Sequence, residues 1–309
     1  MQIYSLDPDR DFQKLIAFMD AVSREPPTAE TLRATLTAEA QLRRLTAIAG
    51  ERGDLIGYCS VTRLASAPAG QATLWVATHP RHRRQGVATA LYQDACAFLR
   101  AQQLADVRSR VEDDDRASLA FAQRRGFGVD RHFFRSMLDL RRFDAAPFQP
   151  VIDHAQARGI AFTTLAALGD TPATRRVYEL NKLTAADIPG RGPFFSFEEY
   201  EQRRFSHPAY RAEGVILALA GAQWVGLTQV SLHPEERFAF NEMTGVTREY
   251  RGRQIAQALK LLAISYAQAQ HMPELRTFND SANTPILAIN RKLGYRPEPG
   301  FYFVMAELM

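Results

Sequence analysis

Cysteine is almost missing from this chain: Cys59 and Cys96 are the two thiols in 309 residues. Two thiols cannot build a disulfide framework, and no cysteine pair has zinc-site spacing. Neither has a neighbouring histidine or oriented base in sequence, so both read as packing residues. The seven histidines are scattered, with no HExxH or HxH pair, which argues against a metal site. No stretch approaches the roughly 18–20 unbroken apolar residues of a membrane span. The N-terminal segment Met1 to Phe12 has no basic stretch followed by an apolar run, so no secretory signal is expected. A reducing cytoplasm is the simplest location. Lysine is scarce beside arginine, yet the net charge is only +4. That excess suits a phosphorylated ligand and is too small to argue for nucleic acid.

What is present suffices for two packed cores. Hydrophobic residues make up 46% and charged residues 23%, ordinary for a globular protein, and the length favours two domains. A repeat supports this division. Shifted by 168 positions, residues 83–126 align without a gap and give eleven identities, from Arg83 on Arg251 to Gly126 on Gly294. Conservative pairs add to them: Val87 with Ile255, Asp115 with Asn283, Phe127 with Tyr295.

Each half reads as mixed α/β. Helical spacing covers 12–22, 28–40, 86–103 and 115–125. Strand patterns cover 43–49, 55–63, 72–78, 107–111 and 132–140, with a hairpin turn at Gly53–Asp54. The second half repeats the order: helices at 172–184, 196–204, 254–270 and 284–293, strands at 214–220, 223–232, 238–247, 274–279 and 300–308. Domains are expected at 1–143 and 158–309, joined by a linker at 144–157 that carries a short helix. The segment from Thr184 to Ser196, rich in glycine and proline, reads as a shaped recognition loop. In it, Asp187 either attracts a cationic amine or, as is favoured, caps a turn.

The most informative segment runs from Thr78 to Leu91. A strand ends, a basic turn follows, and a helix opens at a glycine. That arrangement turns free backbone N–H groups and the positive helix end toward one spot, an anion site. Gly86 admits a phosphate closely, Ala88 is small, Thr89 offers a hydroxyl, and Arg83 and Arg84 add charge-assisted contacts.

The motif Arg83-Arg84-Gln85-Gly86-Val87-Ala88 resembles the signature of the GNAT superfamily of N-acetyltransferases, as does the helix from Asp115 to Gly126-Phe127. In the second half, Arg251-Gly252-Arg253-Gln254-Ile255-Ala256 and Asn283 to Gly294-Tyr295 match, except that Gln254 replaces the glycine. The resemblance implies a tandem pair of α/β mixed-sheet domains and acetyl-CoA as cofactor. It implies cofactor contacts along the fourth strand of each half, at Val76, Ala77 and Thr78 and at Gly245, Val246 and Thr247. Gln254 either crowds the pyrophosphate or, as is favoured, sits harmlessly in ordinary helical φ/ψ.

The halves differ in chemistry. The family's strand-four glutamate falls on Glu242, whereas Leu74 takes that place in the first half. Glu242 is either the base or a carboxylate facing solvent or paired with an arginine. The family's acidic tyrosine falls on Ala122 and Asn290, so it is absent from both halves. Asn290 is left to bind the thiol region or a water, and Tyr295 and Tyr302 remain as nearby candidates for the acid or as core aromatics. The expected function is transfer of an acetyl group from acetyl-CoA to a primary amine of a small molecule or peptide, with the C-terminal half catalytic. The alternatives are catalysis in the N-terminal half and a non-catalytic, CoA-binding regulatory protein. Neither nucleic acid nor membrane is an expected partner.

Overall fold

A computed structural model describes residues 1–64, 67–68, 70–169, 171–188 and 194–308. In chain order it forms β1 (Ile3–Ser5), α1 (Phe12–Val22), α2 (Ala29–Thr37), β2 (Leu42–Ala49), β3 (Leu55–Arg63), β4 (Gln71–Thr78), α3 (Val87–Ala101), β5 (Asp106–Glu112) and α4 (Arg116–Gln123). Then follow β6 (Gly128–Asp139), α5 (Gln149–Ala157), β7 (Ile160–Thr164), α6 (Leu165–Leu168), α7 (Thr171–Ala185) and α8 (Phe197–Tyr200). The last elements are β8 (Val215–Ala220), β9 (Gln223–His233), β10 (Phe238–Val246), α9 (Ile255–Ala269), β11 (Glu274–Asp280), α10 (Thr284–Lys292), β12 (Arg296–Pro297) and β13 (Phe301–Glu307). The helices and strands read from periodicity occur in the expected order. The short β1, β7, β12 and α6 carried too few residues for a period to show.

Two compact units result: Met1–Arg131 with Phe301–Met309, and His132–Gly300. This division follows strand pairing rather than a linear cut after residue 143. β13 pairs antiparallel with β5, and β6 pairs antiparallel with β11. The strands at 132–140 and 300–308 each read as the closing strand of their own half, and their pairing corrects that assignment. The outer edge of a parallel strand needs an antiparallel partner, and two similar strands were on offer. On β5, Arg108 and Arg110 lie over the rings of Phe303 and Phe301 of β13 at 3.6 and 3.9 Å, contacts that favour this pairing.

In the N-terminal unit the strand order is β1-β2-β3-β4-β5-β13. Val87, Leu91 and Leu99 of α3 pack with Ala122 of α4 on Val107 and Val111. Phe12 and Leu15 of α1 and Leu32 and Leu36 of α2 pack on Leu45, Ala47 and Tyr58. In the C-terminal unit the order is β6-β11-β10-β9-β8-β7, with β12 beside β6. Ile255 and Leu259 of α9 cover Ile216, Val225 and Val246, while Val177 and Leu180 of α7 cover Leu217 and Leu227.

Both sheets open at the same place. Parallel pairing of β4 with β5 ends at Thr73 opposite Arg108, though β4 continues to Thr78. Pairing of β10 with β11 ends at Phe240 opposite Arg276, though β10 continues to Val246. Beyond those rungs one edge of the fourth strand is left without a strand partner, and each opening points toward the mouth of the following helix. Among the described residues no helix is long and apolar enough to cross a membrane.

Candidate functional site

The two helix mouths share one backbone shape. Arg84 and Gly86 before α3 have φ of 65° and 84°; Gly252 and Gln254 before α9 have φ of 74° and 62°. Each loop thus places two left-handed residues two positions apart, and each supplies glycine at only one of them. The expectation of ordinary helical φ/ψ for Gln254 is corrected: the position is left-handed, which a β-carbon tolerates at about 1–2 kcal/mol. Neither helix has a side-chain N-cap bond, so the first-turn amides remain available to an anion.

The side chains named for the cofactor sort into three groups. Those of Val87 and Ile255 are buried in the cores, leaving only their backbone N–H groups for a ligand. Arg84, Gln85, Gly252 and Gln254 are exposed at the mouths, and Ala88 and Ala256 are half-buried beside them. Arg83, Thr89, Arg251 and Arg253 have protein partners, whereas among the described residues the buried Thr78 and Thr247 hydroxyls have none. Arg83 lies 3.5 Å from Asp115, and Thr89 Oγ1 accepts from Arg125 Nη2 at 3.0 Å. Arg253 Nη2 donates to the Glu249 carbonyl at 3.0 Å. Arg251 Nε donates to the Val246 carbonyl at 3.1 Å, and its Nη2 donates to Asp187 at 2.5 Å. Asn283 is the N-cap residue of α10 but makes no capping bond with its side chain.

Among the described residues Asp187 makes no turn-capping bond, and it does not stand free for an amine. It binds Arg251 and also Arg248, whose Nε donates at 3.0 Å. These two guanidiniums, Arg248 first, hold its carboxyl well below the ordinary carboxylate range. Nearby, a β-carbon at Gly245 would lie 2.6 Å from Thr184, so glycine is what lets α7 close on β10. Pro189 to Pro193 of the proposed recognition loop lie outside the described residues.

Hydrogen-bond alternation decides which strand amides face each opening. His79 N–H bonds the Ile56 carbonyl and Thr247 N–H bonds the Val225 carbonyl, both at 2.9 Å. Every second residue then faces the antiparallel neighbour. Val76, Thr78 and Val246 therefore turn their amides to the open edge, whereas Ala77, Gly245 and Thr247 turn theirs away from it.

Glu242 sits in a β-bulge. Pairing of β10 with β9 shifts between Asn241 and Met243, which makes Glu242 the extra residue. The matching strand β4 pairs with β3 without a shift from Thr78 to Thr73. The Glu242 side chain lines a cavity of about 270 Å³ with Arg203, Arg204, His207, Ser231 and His233. Arg203 and Arg204 reach it from a single π-helical turn at Glu201–Phe205. One carboxylate oxygen of Glu242 accepts from Ser231 Oγ at 2.7 Å; the other is paired with the Arg204 guanidinium. Ser231 Oγ is also 3.2 Å from His233 Nε2. Burial lowers the pKa of His233 below the ordinary 6.5, against the opposing pull of Glu236 and Glu242, so the ring is mostly neutral at neutral pH.

A second polar group lies under the opening of β10 and β11. Asn290 is buried; its Nδ2 donates to Asn279 Oδ1 at 2.8 Å, and among the described residues its own Oδ1 has no partner. Tyr295 is buried in the core, its hydroxyl without a partner among the described residues, and burial pushes its pKa far up. Tyr302 is on β13 opposite Val111, in the N-terminal unit's sheet, and packs on that unit's core. Sequence reasoning named Asn290 and Tyr295 but missed Arg204, Ser231, His233 and Lys260. Ser231 and His233 stand two apart on one strand face, yet nothing short of the β9–β10 register shows that Glu242 meets them.

The model of the acetyltransferase (GNAT) family matches residues 11–127 and again 175–295. This chain belongs to the GNAT family. It is an acetyl-CoA-dependent N-acetyltransferase with two GNAT domains. Among curated relatives, the mycothiol acetyltransferase of Pseudarthrobacter chlorophenolicus is 25% identical, over 93% of this chain and 88% of its own length. That of Salinispora arenicola is 26% identical over 89% and 85%. A GCN5-related N-acetyltransferase from Sphaerobacter thermophilus shares the fold with a TM-score of 0.73 at 18% identity, covering 99% of this chain and 95% of that one. A tandem GNAT protein from the clavulanic acid biosynthesis pathway does so at 0.69 and 21% identity, covering 100% and 98%.

Proposed function

We propose that the C-terminal domain of this acetyltransferase moves the acetyl group of acetyl-CoA to a primary amine of a small molecule, with Glu242 as proton acceptor. One observation carries the reading: Glu242 is bulged into a cavity beside Ser231 and His233, whereas Leu74 at the matching place is buried in the core of the other domain. A cavity of about 270 Å³ suits a small acceptor better than a peptide. The relatives named mycothiol acetyltransferases agree with a small-molecule acceptor.

The residues present fit the cofactor. The uncapped first turn of α9, with Arg251, Arg253 and Gln254 at its mouth, would hold the diphosphate. The Val246 amide would face the pantetheine arm in the opening of β10 and β11. Acetyl-CoA supplies an activated thioester whose thiolate is a tolerable leaving group, since thiols ionise near ~8.5. The protein's tasks are to bind the amine, remove its proton and keep it aimed. An incoming ammonium replaces Arg204 on Glu242, exchanging one positive charge for another. The carboxylate takes the proton, and the Ser231 hydroxyl relays it by giving its own proton to His233 Nε2 while accepting one from Glu242. A neutral His233 is ready to receive it.

A rival reading places catalysis in the N-terminal domain, and Asp187 favours it by occupying the second phosphate loop's arginines. Glu242→Gln separates the two. Thiol release from acetyl-CoA, screened over a panel of small primary amines, should fall about 100-fold or more in the variant, with acetyl-CoA binding kept. Unaltered turnover would remove Glu242 from the mechanism.

A further inference from the structure

Lys260, one of four lysines in the chain, is 1% exposed in the middle of α9. Among the described residues it makes no ion pair. Its Nζ donates to Asn241 Oδ1 at 2.7 Å and lies 4.9 Å from the centre of the Tyr295 ring. Burial alone draws its pKa down to about 7. An unpaired amine in a core is destabilising, and an apolar side chain of similar volume generally serves the fold better.

The N-terminal domain shows that the fold does not need it. By the 168-residue shift, Asn241, Lys260, Asn279, Asn290 and Tyr295 match Thr73, Tyr92, Val111, Ala122 and Phe127. Val111, Ala122 and Phe127 are ordinary core residues there. The polar group is therefore peculiar to the domain with the bulged glutamate.

The hydrogen bonds say what it grips. Asn241 Nδ2 donates to the Gln229 carbonyl at 3.0 Å and the Met243 carbonyl at 3.1 Å, one on the facing strand and one just past the bulge. Asn241 Oδ1 accepts from Lys260, and from Thr244 Oγ1 at 3.1 Å. A side-chain amide turned over would aim its NH₂ at the lysine and its oxygen at two carbonyls. Lys260 thus acts with those carbonyls to hold the amide in the orientation that clamps the bulge.

We propose that Lys260 is a positioning residue: by locking the Asn241 amide it fixes the β10 bulge and so the aim of the Glu242 carboxylate. This rests on the reading of Glu242 as proton acceptor. Misplacing such a group by about 1 Å lowers turnover on the order of 100-fold.

The test uses the full chain with Lys260→Met, Asn241→Ala, Glu242→Gln and the pairwise doubles. Lys260→Met is expected to melt no lower than the wild type, to lose about 10- to 100-fold in kcat, and to keep its KM for acetyl-CoA. Combined with Asn241→Ala or with Glu242→Gln it should lose little more than the more damaging single change. Wild-type kcat in Lys260→Met, with Glu242→Gln inactive, overturns the inference and leaves the proposed function standing. Full multiplication of the two losses also overturns it, since Lys260 would then act independently of Glu242. Turnover unaffected by Glu242→Gln overturns the proposed function first. Lys260→Leu is the second variant; if neither Met nor Leu at 260 allows folding, the role is structural and the inference fails.

Discussion

Gly86 and Gln254 stand at the mouths of matching helices in the same left-handed conformation, at φ 84° and 62°. Two residues earlier the glycine is on the other side of the comparison, at Gly252 rather than Arg84. The loop shape is thus common to both domains while the glycine has moved within it. A β-carbon at Gly86 would meet only Met1 Cε, at an ordinary 3.5 Å. Gly86→Ala should therefore destabilise through backbone conformation alone, by about 1–2 kcal/mol. Urea unfolding measures it. A loss of several kcal/mol would instead indicate packing that the loop does not show.

His233 makes a pH prediction. Its folded pKa lies below the ordinary 6.5 because it is buried, and the unfolded chain therefore binds the proton more readily. Any stability linked to it is present above about pH 6.5 and is lost as pH falls toward the folded value. Activity follows the same direction, since only a neutral ring accepts the relayed proton. Glu236 and Glu242 raise its pKa, while His207 and Arg276 lower it. The kcat profile from about pH 5 to 8 should show an acidic limb that His233→Gln abolishes along with most of the rate. A limb that persists in the variant assigns the proton elsewhere.

Much of the fold was legible because long amphipathic helices and alternating strands declare their period over many residues. The helices α3 and α9 and the strand β10 were placed within two residues of their observed ends. Which closing strand pairs with which sheet was not legible, because β6 and β13 are alike in pattern and differ only in what they meet. At the site, Glu242 could be named by its place before Val246, but the bulge that aims it depends on register with β9. Gln254 was misjudged for a related reason: φ belongs to the loop, and a glycine two positions earlier hid the strain. Lys260 interrupts an apolar run from Ala258 to Ile264, and that interruption is a sequence signal of a buried polar core.

Asp187 bridges Arg248 and Arg251 at the second phosphate loop. A diphosphate arriving there must compete with this carboxylate, which stays ionised throughout the physiological range. Asp187→Asn keeps the shape and removes the charge. It should tighten acetyl-CoA binding to the C-terminal domain severalfold, with a steeper dependence on salt, because two more cationic side chains then meet the phosphates. Calorimetric titration in low and moderate salt reads both effects. Weaker binding in the variant would mean that Asp187 orients the arginines for phosphate rather than occupying them.

Lys260 makes the last prediction, and its sign follows from burial. The folded pKa is near 7 and the unfolded one near 10.5. Between these values the unfolded chain carries a proton that the native chain has given up. Stability linked to Lys260 therefore rises with pH across that window, by at most roughly 1.4 kcal/mol per pH unit. Below it the native state must bury an ammonium. Lys260→Met has no such proton, so its advantage over the wild type should be largest near pH 7 and should shrink toward pH 10, where wild-type Lys260 is neutral in both states. Chemical unfolding of the two proteins at several pH values gives that difference directly, and groups common to both cancel. A difference that stays constant across the window would show that Lys260 is not neutralised by burial. The amine would then be charged in the native state at all these pH values, and its hold on Asn241 would be that of an ammonium throughout.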